Sequence, residues 1–244
     1  MIINLISGPR NVSTALMYAF AQRSDTKVVD EPFYAYYLAK TDVLHPGRTR
    51  IMQAMSTDIH EITVDLMKKV HQKPIIFLKN MAHHHIGINK DFMLFANHLF
   101  LIREPGQLLN SFSKVIRNPT LEDIGAKKSW ELYEMLRKEG KQPVVLDSGE
   151  LLKQPANMLS RLCDALSIEY QAKMLSWPAG PIPEDGVWAE YWYHNVHRST
   201  GFLPTNDKAE PVPDGLMDVY EKALPYYERL YEKSIKHLNN AAKV

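Results

Sequence analysis

The residues best suited to chemistry come in three groups, each lying after a short apolar run. The first is Gly8-Pro9-Arg10-Asn11-Val12-Ser13-Thr14, where a strand-like run over 2–7 passes straight into a helix-like pattern. At such a junction the first amides of the helix lack partners, and the helix end carries roughly half a unit of positive charge, which suits a phosphate. Arg10 adds a full charge, and Ser13 and Thr14 add two hydroxyls. The second group is Arg103-Glu104-Pro105, with Ser111 about two helical turns further on, able to hold another anion through a bidentate guanidinium. The third is acid–base chemistry: Asp30-Glu31-Pro32 and the triplet His83-His84-His85. Glu31 is the expected base for an attacking hydroxyl or amine, with His83 as its alternative. Adjacent histidines do not converge on one tetrahedral ion, so no metal is expected.

These groups need a scaffold that brings strand ends together. Apolar runs over 2–7, 27–30, 75–79, 98–103 and 143–147 read as buried strands, with helix-period stretches between them. Expected helices cover 14–23, 50–70, 105–116, 121–138 and 155–166, with Asn118-Pro119 as a break. Proline and aromatic residues crowd 176–215, an irregular, lid-like segment whose aromatics cover the acceptor pocket or close the core. The segment 216–240 reads as helical, in two pieces of 216–223 and 226–238 interrupted at Pro225. Repeated strand-then-helix order predicts one α/β domain over 1–244. Its expected architecture is a three-layer P-loop NTPase-like sandwich around a central, mainly parallel five-stranded sheet, with the site at the strands' carboxyl ends.

Composition bounds the partners. The chain has 244 residues, and its 29 basic and 28 acidic side chains leave a net charge of +1. That balance argues against a nucleic-acid or membrane-surface partner. The single cysteine, Cys163, is expected in the core and forms no internal disulfide, as in a reducing compartment. With the first strand starting at Ile2 or Ile3, and no apolar run of about 20 residues, a cytoplasmic protein without a targeting segment is expected.

The first loop departs from the Walker pattern G-x-x-x-x-G-K-[ST]: counted from Gly8, Ser13 and Thr14 stand where the second Gly and the Lys belong. With Arg103-Glu104-Pro105 and Ser111, the loop resembles that of sulfotransferases that use 3′-phosphoadenosine 5′-phosphosulfate (PAPS). In that family a [KR]-S-G-T-T turn holds the 5′-phosphosulfate, and here Arg10-Asn11-Val12-Ser13-Thr14 takes its place. An Arg-x-Pro with Ser eight residues after the Arg helps hold the 3′-phosphate, matching Arg103, Pro105 and Ser111. The stretch Val144-Val145-Leu146-Asp147-Ser148-Gly149, continuing past Pro155 to Leu166, resembles the family's late strand and helix. More narrowly, the chain looks like sulfotransferase-like proteins that also occur fused to aminotransferase-like domains. It differs from the cytosolic small-molecule enzymes in having Lys79-Asn80-Met81 for their Lys-Thr-His. Their C-terminal Arg-Lys-Gly is absent, with His197-Arg198-Ser199-Thr200-Gly201 as the stand-in.

The resemblance implies a PAPS donor bound by Gly8, Pro9, Arg10, Asn11, Val12, Ser13, Thr14, Arg103, Ser111 and Arg198, and a small-molecule acceptor. Arg10 with the loop amides would stabilise charge on the leaving oxygen. Two rivals differ in class. One is a Mg-ATP kinase or hydrolase with Asp30 or Asp147 as the metal carboxylate. The other is a catalytically silent nucleotide-binding module.

Overall fold

The computed structural model describes residues 1–203 and 211–236. Five strands, β1 (Ile2–Ser7), β2 (Thr26–Asp30), β3 (Ile75–Met81), β4 (Asn97–Ile102) and β5 (Val144–Asp147), form one sheet in the order β2-β3-β1-β4-β5. Every pairing is parallel, so the architecture is α/β with an all-parallel centre. Because helices cover both faces, the strands are apolar without alternation, and β1 is buried at all six positions. Ile3, Leu5, Phe77 and Leu101 point into one core layer; Ile2, Ile6, Leu78 and Phe100 point into the other. No helix among the described residues is long and apolar enough to cross a membrane.

The helices up to β4 are α1 (Ser13–Ala21), α2 (Tyr34–Lys40), α3 (Arg48–Ala54), α4 (Ile59–Lys68) and α5 (Lys90–Phe95). Then come α6 (Pro105–Phe112), α7 (Leu121–Ile124), α8 (Ala126–Lys138), α9 (Ser148–Lys153), α10 (Pro155–Ala165), α11 (Ala189–Trp192), α12 (His194–His197) and α13 (Met217–Glu232). Phe20 of α1 stacks on Phe77 of β3 with ring centroids 4.0 Å apart, which fixes the helix against the sheet. A Phe20→Ala change there would cost about 3–5 kcal/mol. Cys163 is a free, buried thiol on α10.

Four helical stretches expected from the sequence are corrected. The stretch 50–70 is two helices, because Met55 is extended and Asp58 caps α4, accepting from the amides of His60 at 2.7 Å and Glu61 at 3.1 Å. The stretch 121–138 is also two, divided by Gly125 at φ 69°, after a capping box between Thr120 and Asp123 has closed α7. Conversely, Pro225 lies inside α13 rather than breaking it: Ala223 and Leu230 are buried, and packing on α6 and α8 outweighs the missing amide. The helix expected to reach Ile116 stops at Phe112. Residues 204–210 of the aromatic segment and 237–244 at the C-terminal end lie outside the described residues.

Candidate active site

The chain runs from β1 through α1 towards β2 on one side of the sheet, and from β4 towards β5 on the other. The carboxyl ends of adjacent β1 and β4 therefore form the topological switch point, where open α/β sheets leave a crevice. A cavity of about 440 Å³ opens there, lined by residues of the loop after β1, the start of α1, the ends of β3 and β4, and the aromatic segment.

The loop after β1 is held in an uncommon shape. Arg10 (φ 59°) and Val12 (φ 54°) are both left-handed, a conformation costing about 1–3 kcal/mol for a non-glycine residue. Two tethers to the β4 side hold it there: buried Asn11 donates to the Leu101 carbonyl at 2.9 Å, and Arg103 Nη1 donates to the Arg10 carbonyl at 2.6 Å. Val12 is the N-cap of α1 and offers no capping side chain, so the first-turn amides face the cavity beside Ser13 and Thr14.

Arg10 Nε donates to Ser111 Oγ at 3.1 Å, which brings the two expected anion cradles into contact. Burial lowers the pKa of both Arg10 and Arg103, and the charge of Arg10 adds to the effect on Arg103. Each guanidinium bonds a neutral group, a hydroxyl for Arg10 and a carbonyl for Arg103, so two positive charges stand as neighbours.

Across the cavity, buried Lys79 at the end of β3 is shared. Its Nζ lies 3.1 Å from Asp30 Oδ1 and also pairs with Glu31 and the Tyr193 hydroxyl. Tyr193 donates to Asp30 Oδ2 at 2.7 Å, Trp188 Nε1 donates to Tyr193 at 3.0 Å, and the Gly186 amide donates to Asp30 at 3.2 Å. Glu31 is a further left-handed residue, at φ 38°. Burial pushes its carboxyl up to about 7, against the pull of Lys79 and with the help of Asp30. Burial opposes the Lys79 charge too, yet the two carboxylates hold that ammonium above its usual value.

The histidine triplet splits. His83 and His84 line the cavity, whereas His85 turns to the other face of the sheet and meets Asn4 at 3.2 Å. Burial pushes His83 down to about 4 and His84 well below its ordinary value. Their Nδ1 atoms are buried without hydrogen-bond partners, that of His84 being 3.7 Å from Glu31 Oε2.

The Sulfotransferase domain model matches residues 1–234. This chain belongs to the sulfotransferase family. It is 39% identical over 237 residues to branched-chain-amino-acid aminotransferase-like protein 1 of Arabidopsis thaliana, covering 97% of this chain and 42% of that protein. Protein 2 of the same name and organism is 37% identical over 230 residues, with coverages of 94% and 41%. The chain thus spans about two-fifths of the length of the curated relatives it matches. Among solved structures, the sulfotransferase of Alicyclobacillus acidocaldarius superposes with a TM-score of 0.57 at 13% identity, over 95% of this chain and 96% of the other. The sulfotransferase domain of the Synechococcus PCC 7002 olefin synthase gives 0.56 at 17%, over 91% and 93%. That of the curacin biosynthetic pathway gives 0.53 at 15%, over 95% and 96%.

In this sulfotransferase domain, Pro9, Arg10, Asn11, Val12, Ser13, Thr14, Glu31, His83, Arg103 and Ser111 line one cavity. Two expected binding residues do not. Gly8 is needed for packing instead, since a Cβ there would lie 2.4 Å from the Ile124 carbonyl. Arg198 is exposed, 3.5 Å from Asn195, and does not line the cavity. Lys79, Tyr34, Tyr37 and His45 are cavity residues absent from the expected set. Lys79 had a legible signal, a lone cation within the buried run Ile75–Met81.

Proposed function

We propose that this sulfotransferase transfers a sulfuryl group from PAPS to a hydroxyl or amine of a small-molecule acceptor. The observation that carries the reading is the meeting of the two cradles: Arg103 holds the loop carbonyl of Arg10, while the Arg10 side chain reaches Ser111. One end, the uncapped start of α1 with Ser13 and Thr14, suits a 5′-phosphosulfate; the other, with Arg10, Arg103 and Ser111, suits a 3′-phosphate. Arg10, whose Nε also bonds Ser111, would stabilise charge on the leaving oxygen together with Ser13, Thr14 and the α1 amides.

Glu31 is the proposed base. Its carboxyl, near 7, is matched to proton transfer at neutral pH, and Lys79 orients it. His83 lies in the same cavity but, held near 4, is the weaker base. The Mg-nucleotide alternative needs a free carboxylate. Asp30 is engaged by Lys79 and Tyr193, and Asp147 caps α9 while accepting from Tyr227.

Melting temperatures with 3′-phosphoadenosine 5′-phosphate, with AMP, and with ATP plus Mg²⁺ test the donor. A ligand at roughly 100 times its Kd adds about 2.7 kcal/mol. The bisphosphate is expected to give by far the largest shift; an equal response to AMP removes the 3′-phosphate assignment.

A further inference from the structure

The buried groups around Lys79 fix one another's protons. The Tyr193 hydroxyl oxygen accepts from Lys79 Nζ and from Trp188 Nε1, the latter at 3.0 Å, and neither donor can accept in return. Both oxygen lone pairs are then in use. The hydroxyl proton has one outlet, the Asp30 carboxylate, whose two oxygens lie 2.9 and 2.7 Å away. Asp30 also accepts from Lys79 at 3.1 Å and from the Gly186 amide at 3.2 Å. Each of these neighbours donates, so a proton on this carboxyl would have nowhere to point. Glu31 differs. Lys79 bonds its Oε1, whereas Oε2 faces His84 Nδ1 at 3.7 Å, a buried ring nitrogen without a hydrogen-bond partner. Burial keeps that imidazole neutral, and a neutral ring can face a carboxyl in either protonation state. The segment that carries Tyr193 and Trp188 is pinned to α1, because Asp185 Oδ2 accepts from the Tyr18 hydroxyl at 2.7 Å and meets His197 Nε2 at 2.9 Å.

From this bonding we propose that Asp30 and Tyr193 are positioning residues for the base: they confine the exchangeable proton of the carboxylate pair to Oε2 of Glu31. The inference rests on the reading of Glu31 as the base and names what sets its protonation. The proton that leaves the acceptor's hydroxyl or amine is taken up at Oε2 and then passes to solvent, while Asp30 keeps its pairing with Lys79 throughout. The titratable groups that face Glu31 are Asp30 beside it, Lys79 on β3, His84 just after β3, Tyr34 on α2 and Tyr193 on the aromatic segment. Of these, the Asp30 charge favours a proton on Glu31, and the donors Lys79 and Tyr193 disfavour it. Replacing Asp30 and replacing Tyr193 therefore move Glu31 in opposite directions.

Carbon-13 NMR on the intact chain, labelled at the side-chain carboxyl carbons of aspartate and glutamate, tests this. The signals missing in Glu31→Gln and in Asp30→Asn identify the two groups. In the parent, the proton should enter at Glu31 with a midpoint of about 7 and with no matching step at Asp30. Tyr193→Phe should raise the Glu31 midpoint by about half a pH unit. Asp30→Asn should lower it by roughly one pH unit. Residues that merely pack the segment would, when changed, admit water and let both midpoints fall towards the ordinary 4.5. A proton taken up by Asp30, or a midpoint unmoved or lowered in Tyr193→Phe, overturns the proposal. The parent and Tyr193→Phe decide it even if Asp30→Asn does not fold. Calorimetry with 3′-phosphoadenosine 5′-phosphate on the same samples separates the two readings. Bisphosphate binding with the proton on Asp30 leaves the donor reading and removes this one. No bisphosphate binding, with the expected midpoint shifts, removes the donor reading and leaves the proton placement.

Discussion

Two buried polar clusters lie on opposite faces of the sheet. On the face away from the cavity, the Asn4 amide nitrogen meets His85 Nε2 at 3.2 Å and His98 Nδ1 at 3.3 Å, while Asn4 Oδ1 accepts from Asn80 at 2.7 Å. The outer ring nitrogens of the same histidines meet the Met81 and Met93 carbonyls at 3.1 and 2.7 Å. Every polar atom in that network except Asn80 Oδ1 has a partner. On the cavity face, two carboxylates share one ammonium, His83 and His84 leave nitrogens open, and Glu31, Arg10 and Val12 hold left-handed backbone. A satisfied buried network aligns strands, whereas an unsatisfied and strained one marks a candidate site.

The sharpest way to break the contrast is Glu31→Gln. If the cavity cluster is functional, turnover should fall about 10²–10⁴-fold while binding of 3′-phosphoadenosine 5′-phosphate stays intact. Measured on the parent, kcat should drop as pH falls below about 7, because the carboxyl pushed up to about 7 by burial becomes protonated there. Unchanged turnover in the variant would move the base to the histidines, whereas bisphosphate binding with no transfer by the parent to any acceptor would leave a nucleotide-binding module without catalysis.

The opposite pattern is expected behind the sheet. Asn4→Leu strips partners from two histidine acceptors and from the Asn80 donor, and should cost on the order of 3 kcal/mol in urea unfolding. Folded molecules should keep the parent's ligand affinity. A large change in bisphosphate affinity with little change in stability would show that the network is part of the site.

How much of this was legible depends on which force sets each feature. Fully buried parallel strands leave long apolar runs, so all five were readable close to their ends. Helix boundaries were less so, because Met55, Asp58 and Gly125 act through backbone geometry and capping rather than apolar period. The short helix Tyr34–Lys40 went unread, since its Tyr34-Ala35-Tyr36-Tyr37-Leu38 run is buried all round and shows no polar face. Donor-loop residues announced themselves through types that suit phosphate. Tyr193 did not, because its meaning lies in a contact with Lys79 across 114 residues.

Arg103→Ala should be milder than either change above. Loss of one charged phosphate contact costs about 1.5–3 kcal/mol, seen as weaker bisphosphate binding in calorimetry. AMP provides the control. Since Arg103 also tethers the Arg10 carbonyl, an equal loss for AMP would mean that it acts by shaping the loop.

The smallest expected effect is a pH slope, and here Glu31 runs against the buried histidines of both clusters. Burial pushes His85 down to about 3 and His98 to about 4, below the ordinary 6.5. The unfolded chain therefore takes up those protons first, and stability is lost as pH falls from 6.5 through these folded values. Each histidine contributes a slope of up to about 1.4 kcal/mol per pH unit. Glu31 works the other way: raised from 4.5 to about 7, it favours the folded state while protonated, and that contribution is lost as pH rises across this range. Between roughly pH 4.5 and 6.5 Glu31 offsets only part of the histidine slope, so the parent's stability should still rise with pH. Glu31→Gln removes the opposing slope, so its unfolding free energy should climb more steeply with pH across that window. If urea titrations of parent and variant run parallel, the pairing with Lys79 outweighs burial at Glu31, and the cavity cluster is as well satisfied as the network behind it.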